Sequence, residues 1–161
     1  MNFSNIKVYI AAPFFTEQQL IFVKEIENTL DKYGVKYFSP RLHGVIQDMP
    51  VDTSREQKMK AIFDMNIENI DLCNLMVAVI DDRDVGTMFE MGYVYGTSMG
   101  DINIVSITGN NHGINVMLRY AVSAHLFGVA DLDSMLQLAS YNGVLDDRQY
   151  SFFQNFPAKV Q

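Results

Sequence analysis

The stretch Leu75-Met76-Val77-Ala78-Val79-Ile80-Asp81-Asp82-Arg83-Asp84-Val85-Gly86-Thr87-Met88-Phe89-Glu90-Met91-Gly92 decides the fold. Its first six residues form an unbroken apolar run, the pattern of a central parallel strand covered on both faces. An acidic loop follows, and the segment Tyr93 to Met99 beyond it has room for two helical turns. The stretch therefore reads as strand, loop and helix start. In an open α/β sheet, ligands sit at the carboxyl ends of the strands. Here Asp81, Asp82, Asp84 and Glu90 crowd that end.

Upstream, residues 6–12 read as a first strand, broken by Pro13. Thr16 and Gln19 have capping-box spacing, and Leu20, Val23, Ile26 and Leu30 then recur at helical intervals. Gly34 suits the end of that helix. Residues 35–38 read as a second strand, and 41–54, which include His43, as a long loop of the kind that often carries function. Arg55–Asp71 reads as a helix with Met59, Ile62, Met65 or Asn66, and Ile70 as its apolar stripe. Downstream, 102–107 and 126–129 read as strands, 115–123 and 132–138 as helices, and 141–161 as an aromatic tail. The alternation predicts a single-domain, doubly wound α/β fold of flavodoxin or Rossmann type. It has five parallel strands flanked by helices over residues 1–161.

A chain of 161 residues, 48% hydrophobic and 19% charged, is long enough for one domain with a substantial core. Its net charge of −7 disfavours a nucleic acid polymer or an anionic membrane as partner. No run approaches the length of a membrane span, and the N-terminus lacks a secretory pattern. Cys73 stands alone, which excludes an intrachain disulfide or a cysteine zinc cluster and makes a reduced, cytoplasmic setting the expectation. His43, His112 and His125 have no metal-ligand spacing and read as loop or surface histidines. No P-loop, dinucleotide fingerprint or local Ser/His/Asp signature occurs.

Glu90 admits two readings. Thr87-Met88-Phe89-Glu90 has capping-box spacing, with the carboxylate bonding back to the Thr87 amide. Alternatively, Glu90 is a carboxylate at a helix N-terminus facing the mouth of the sheet. There the helix dipole favours the ionised form, a nucleophile for an electron-poor carbon such as an anomeric centre. Asp84 is either a turn-forming loop acid or a polar contact to a ligand. Asp64 lies on the polar face of its helix or points over the strand ends. Tyr9 reads as a core tyrosine whose hydroxyl needs a partner, and a carboxylate would serve. Asn115, after a glycine-containing loop, reads as a helix cap.

Together these residues resemble the nucleoside 2-deoxyribosyltransferase family, specifically the type II enzymes that exchange purines and pyrimidines. The resemblance is carried by Tyr9-Ile10-Ala11-Ala12-Pro13-Phe14-Phe15, by Asp64, by Asp84-Val85-Gly86, by Glu90-Met91-Gly92-Tyr93 and by Ile114-Asn115-Val116-Met117. The spacings from Asp64 through Asp84 and Glu90 to Asn115 match without a gap, and the likeness covers roughly residues 6–132. It implies transfer of 2-deoxyribose between bases through a covalent deoxyribosyl-glutamate, with slow nucleoside hydrolysis as a side reaction. It makes Glu90 the nucleophile and Tyr9 its orienting donor, sets Asp84 against the nucleobase, and sets Asp64 at the deoxyribose side. It has Asn115 of a neighbouring subunit at the sugar 5′-hydroxyl, with Met117, Gly86, Phe14 and Ala11 completing the substrate contacts. It also implies 2′-deoxynucleosides and free nucleobases as partners, a homo-oligomer (dimer or hexamer) with shared sites, no cofactor, and a role in nucleotide salvage.

The sequence departs from the family at Ala11-Ala12-Pro13, where close relatives carry Gly-Ala-Gly. The family's C-terminal tyrosine has only Tyr150 and Phe156 as candidate counterparts. Other functions stay open on the sequence. One is hydrolysis of 2′-deoxynucleoside 5′-monophosphates, with Arg41 as the candidate phosphate ligand. Others are a non-catalytic nucleotide-binding module and a scaffold for protein contacts.

Overall fold

A computed structural model describes residue 3 and residues 5–43, 52–110 and 113–142. The elements run β1 (Lys7–Ala11), α1 (Glu17–Lys32), β2 (Lys36–Phe38), α2 (Pro40–His43), α3 (Arg55–Asp71), β3 (Leu75–Val79), α4 (Val85–Thr97), β4 (Asn103–Thr108), α5 (Val116–Ala121), β5 (Ala124–Phe127) and α6 (Val129–Asn142). The tail from residue 143 on with Tyr150 and Phe156, the loop at 44–51, and His112 lie outside the described residues.

All strand pairs are parallel, in the order β2-β1-β3-β4-β5. Tyr9 stands opposite Met76 and Ile10 opposite Val77, and Met76 in turn faces Ile104. Because successive strand side chains point to opposite faces, each strand feeds two cores. Val8, Ile10, Val77, Val105 and Leu126 pack with Val23, Ile26 and Leu30 of α1 and with Leu132, Met135 and Leu136 of α6. Tyr9, Ala11, Met76, Ala78 and Ile104 pack with Ile70 of α3 and with Met91 and Val94 of α4. Burial on both faces explains why β3 has no polar residue. The order reverses at β1 and β3, so the crevice between their carboxyl ends is the switch point where ligands bind in such sheets.

The local signals at α1 read true. Thr16 caps it with both arms of the capping box in place, and Gly34 follows the C-cap Tyr33 at φ 65°, a conformation that suits glycine. Four expectations change. The start of the presumed loop at 41–54 is a helical turn, Pro40–His43, with proline at the first position, where it forfeits no hydrogen bond. The helix after the acidic loop begins at Val85, before Thr87. β5 begins at Ala124, earlier than 126, which turns His125 into the core. There it is 1% exposed, with Nδ1 2.8 Å from Ser106 Oγ, so it is no surface histidine. Of the stripe assigned to α3, only Ile70 is buried, and Met59 stays 55% exposed.

Arg41 is committed to structure. Its Nε donates to Glu27 Oε1 at 2.8 Å and its Nη2 donates to Glu27 Oε2, and the Glu27 side chain is 5% exposed. Removing one member of a buried pair strands the other charge. Arg41→Ala is expected to lower unfolding stability by about 3 kcal/mol in urea titration, far more than loss of an exposed pair.

Candidate active site

The site grows from Tyr9. Strand periodicity points its ring to the α3/α4 side of β1, where it is fully buried and stacks on Phe38 at 5.7 Å between centroids. A buried phenol needs an acceptor, and Tyr9 donates to Glu90 Oε1 at 2.6 Å. Glu90 Oε2 has no hydrogen-bond partner among the described residues.

Glu90 is carried by α4. The chain leaves β3, turns through Arg83 at φ 51°, and enters the helix at its N-cap, Asp84. Asp84 Oδ2 accepts from Thr87 N at 2.8 Å and from Thr87 Oγ1 at 3.2 Å. A Cβ on residue 86 would stand 3.0 Å from that oxygen, so Gly86 leaves the capping carboxylate its room. Of the two readings of Glu90, this excludes the capping box with Thr87. With Asp84 as cap, Glu90 lies beyond the first turn, and its carboxylate reaches across to β1 rather than back to its own backbone. The helix dipole, which fades within one turn, is not what governs it. Burial pushes the Glu90 carboxyl up to about 7, the Asp84 charge adds to the rise, and the Tyr9 hydrogen bond holds it down. The Tyr9 hydroxyl is pushed up by burial and by Glu90 and stays protonated as a donor.

Two adjoining hollows open beside this carboxylate. One, of about 170 Å³, is lined by Ala12, Phe14, Phe15 and Pro40 on one side and by Asp84, Gly86 and Thr87 on the other. The second, of about 340 Å³, is rimmed by Met59, Phe63, Ile67 and Phe89. Ile62, Asn66, Gly86 and Glu90 line both. A third hollow, of about 330 Å³, opens beside α1 near Asp81 and Asp82. Its carboxylates are already engaged: Asp81 accepts from Thr108 Oγ1, Gly109 N and Asn110 N, and Asp82 accepts from Gln19 Nε2. The carboxylate oxygen without a partner among the described residues is on the Glu90 side.

Of the residues singled out from sequence, the structure brings together Glu90, Tyr9, Asp84, Gly86 and Phe14. Asp64 is placed elsewhere: it sits on the exposed face of α3, with Lys60 Nζ 2.6 Å from its carboxylate. Ala11 points into the core, and the next residue, Ala12, lines the hollow instead. Asn115 caps α5 by accepting from Met117 N at 2.9 Å, and both side chains face outward from their own chain. Sequence reasoning missed Asn66, Ile62 and the Phe63–Phe89 pair. The one signal for them was the amide of Asn66 interrupting an apolar stripe.

The sequence profile of the family described as nucleoside 2-deoxyribosyltransferase matches residues 8–117, more than half the chain. The chain belongs to the nucleoside 2-deoxyribosyltransferase family. Its α/β sheet matches that of a 2-deoxyribosyltransferase from the psychrotolerant bacterium Bacillus psychrosaccharolyticus, described as a biocatalyst for nucleoside synthesis. The identity is 26% and the TM-score 0.67, over 79% of this chain and 90% of that one. A conserved protein from Enterococcus faecalis V583 shares the fold at 18% identity and a TM-score of 0.61, over 83% of this chain and 98% of that one. No protein with a curated function matches the chain. Membership makes this a deoxyribosyltransferase-type protein acting in the chemistry of nucleosides and bases. Among the described residues, no helix is long and apolar enough to cross a membrane.

The raised Glu90 carboxyl has a consequence for stability. Its ordinary value is 4.5 and its folded value about 7, so between them the folded chain holds a proton that the unfolded chain has released. The resulting cost is absent below about pH 4.5 and complete above about pH 7. Glutamine does not titrate. The stability advantage of Glu90→Gln over wild type is expected to grow by roughly 3 kcal/mol between pH 4.5 and about pH 8, measured by denaturant unfolding.

Proposed function

We propose that this protein transfers 2-deoxyribose between purine and pyrimidine bases, with Glu90 as nucleophile. The observation that carries the reading is the buried Glu90 carboxylate, pinned through Oε1 by Tyr9 and leaving Oε2 for the substrate at the sheet's switch point. In the first displacement Oε2 of the ionised form attacks C1′ as the N-glycosidic bond breaks. The departing base keeps the electron pair of that bond and takes up a proton on the side where Asp84 stands. A covalent deoxyribosyl-glutamate results, formed through an oxocarbenium-like state. A second base then attacks C1′ through a ring nitrogen, gives up that nitrogen's proton on the same side and displaces Glu90 as a carboxylate, and two inversions restore the β configuration. Without a 2′-hydroxyl, positive charge develops more readily at C1′, so deoxyribosides are the substrates. Water in place of the second base gives slow hydrolysis.

A monophosphate substrate fits less well. No described residue lining the two hollows is cationic, and Arg41 is held by Glu27. A proposed homo-oligomer completes the site. Met59, Phe63 and Phe89 leave the rim half exposed, Val85 beside them is 83% exposed, and Met117 on α5 is 75% exposed. A second copy seated there would close the hollow and bring its own Asn115 to the sugar. The proposed setting is cytoplasmic nucleotide salvage.

Incubation with deoxyinosine and cytosine is expected to yield deoxycytidine on chromatography, and Glu90→Gln to reduce its formation by about a thousandfold or more. Failure to form deoxycytidine, with hydrolysis of a deoxynucleoside monophosphate instead, would overturn the reading. Phe89→Asp is expected to shift size-exclusion elution towards the monomer and lower exchange activity in parallel. Unchanged elution would count against a shared site.

A further inference from the structure

Asn66 stands in the wall common to both hollows, with Ile62, Gly86 and Glu90. Its side-chain oxygen is buried and has no hydrogen-bond partner among the described residues. The helix offers an alternative that Asn66 does not take: Asn69, further along α3, donates through Nδ2 to the Met65 carbonyl at 2.8 Å. Buried acceptors are almost always paired. An unpaired acceptor on a residue that lines the hollow, beside a candidate nucleophile, calls for a donor from a ligand.

We propose that Asn66 receives the 3′-hydroxyl of the substrate's deoxyribose and sets C1′ before Glu90. The proposal rests on the reading of the hollow as a deoxynucleoside site. An amide presents an acceptor at one end and donors at the other, and a hydroxyl pairs with either, whereas an exocyclic amino group pairs with only one. The bases also differ in the groups they carry, so an enzyme that exchanges purines and pyrimidines gains no constant partner from the base. The sugar is common to every substrate. Its 3′-hydroxyl is attached to the ring whose C1′ must reach Glu90, while the 5′-hydroxyl hangs on an exocyclic methylene. Asn66, which shares both hollows with Glu90, is placed for the ring hydroxyl. It acts as a positioning residue that discriminates by what the substrate lacks. An analogue without the hydroxyl leaves the buried acceptor unpaired and is rejected for that reason.

The test compares wild type, Asn66→Ala and Asn66→Asp with 2′-deoxyinosine, 2′,3′-dideoxyinosine and 2′,5′-dideoxyinosine. Exchange with cytosine gives kcat/KM, and titration calorimetry gives nucleoside binding. Wild type is expected to favour deoxyinosine over the 2′,3′-dideoxy analogue by about tenfold or more. Asn66→Ala should lose that preference by falling on deoxyinosine alone, and Asn66→Asp, which keeps an acceptor, should retain it. The melting temperature of Asn66→Ala should not fall, since no internal bond is removed. Equal losses on all three nucleosides, no loss on any, or a change confined to the 2′,5′-dideoxy analogue would overturn the assignment. If wild type transfers no sugar but its binding shows the Asn66-dependent preference, the transferase reading falls and this assignment stands. If exchange proceeds without the preference, the reverse holds.

Discussion

The hydrogen bond from the Tyr9 hydroxyl to Glu90 is the constraint around which the site is arranged. It joins the first strand to the fourth helix across the switch point and settles two needs together. A phenol in a core must find an acceptor, and a largely buried carboxylate must be held against its tendency to stay protonated. Burial, the Asp84 charge and the Tyr9 donor leave Glu90 near neutrality, where a modest change in surroundings decides whether it is a carboxylate or an acid. The same bond fixes which oxygen is occupied and which is left for a substrate.

Much of the fold was legible because it rests on local physics. The unbroken apolar run of β3 suited a strand covered on both faces, which it is. The Thr16–Gln19 box and Gly34 marked both ends of α1. The site was less legible where a shift of one or two residues reverses a side chain. In β1 the period of two sends Ala11 into the core, and the hollow falls to Ala12, where the strand has ended. In α3 the apolar stripe was ambiguous between Met65 and Asn66, and that ambiguity is a rotation of the helix about its axis. Resolved, it puts Asn66 in the hollow and Asp64 in solvent beside Lys60.

The capping-box alternative for Glu90 fails for a different cause. Both Asp84 and Thr87 have side chains able to cap a helix, and spacing alone does not choose between them. Asp84 follows directly on the turn at Arg83, with a backbone outside the helical region at ψ 127°, and its carboxylate accepts from both the amide and the hydroxyl of Thr87. With the cap taken, Thr87 is a partner rather than a cap, and Glu90 is released from a local role. The acidic loop thus divides its labour. Asp81 ties the loop to the end of β4, Asp82 ties it to α1, Asp84 starts the helix and raises the Glu90 carboxyl, and Glu90 lines the hollow with one oxygen left unpaired.

The central claim is that Glu90 bonds covalently to a sugar carbon. Rapid acid quenching of the protein mixed with a 2′-deoxynucleoside, followed by proteolysis and mass spectrometry, tests it directly. The account predicts a mass gain of one deoxyribosyl group on the peptide carrying Glu90, removed when a free base is added before quenching. Active sugar exchange with an unmodified Glu90 peptide, or with the sugar attached to another residue, would contradict it.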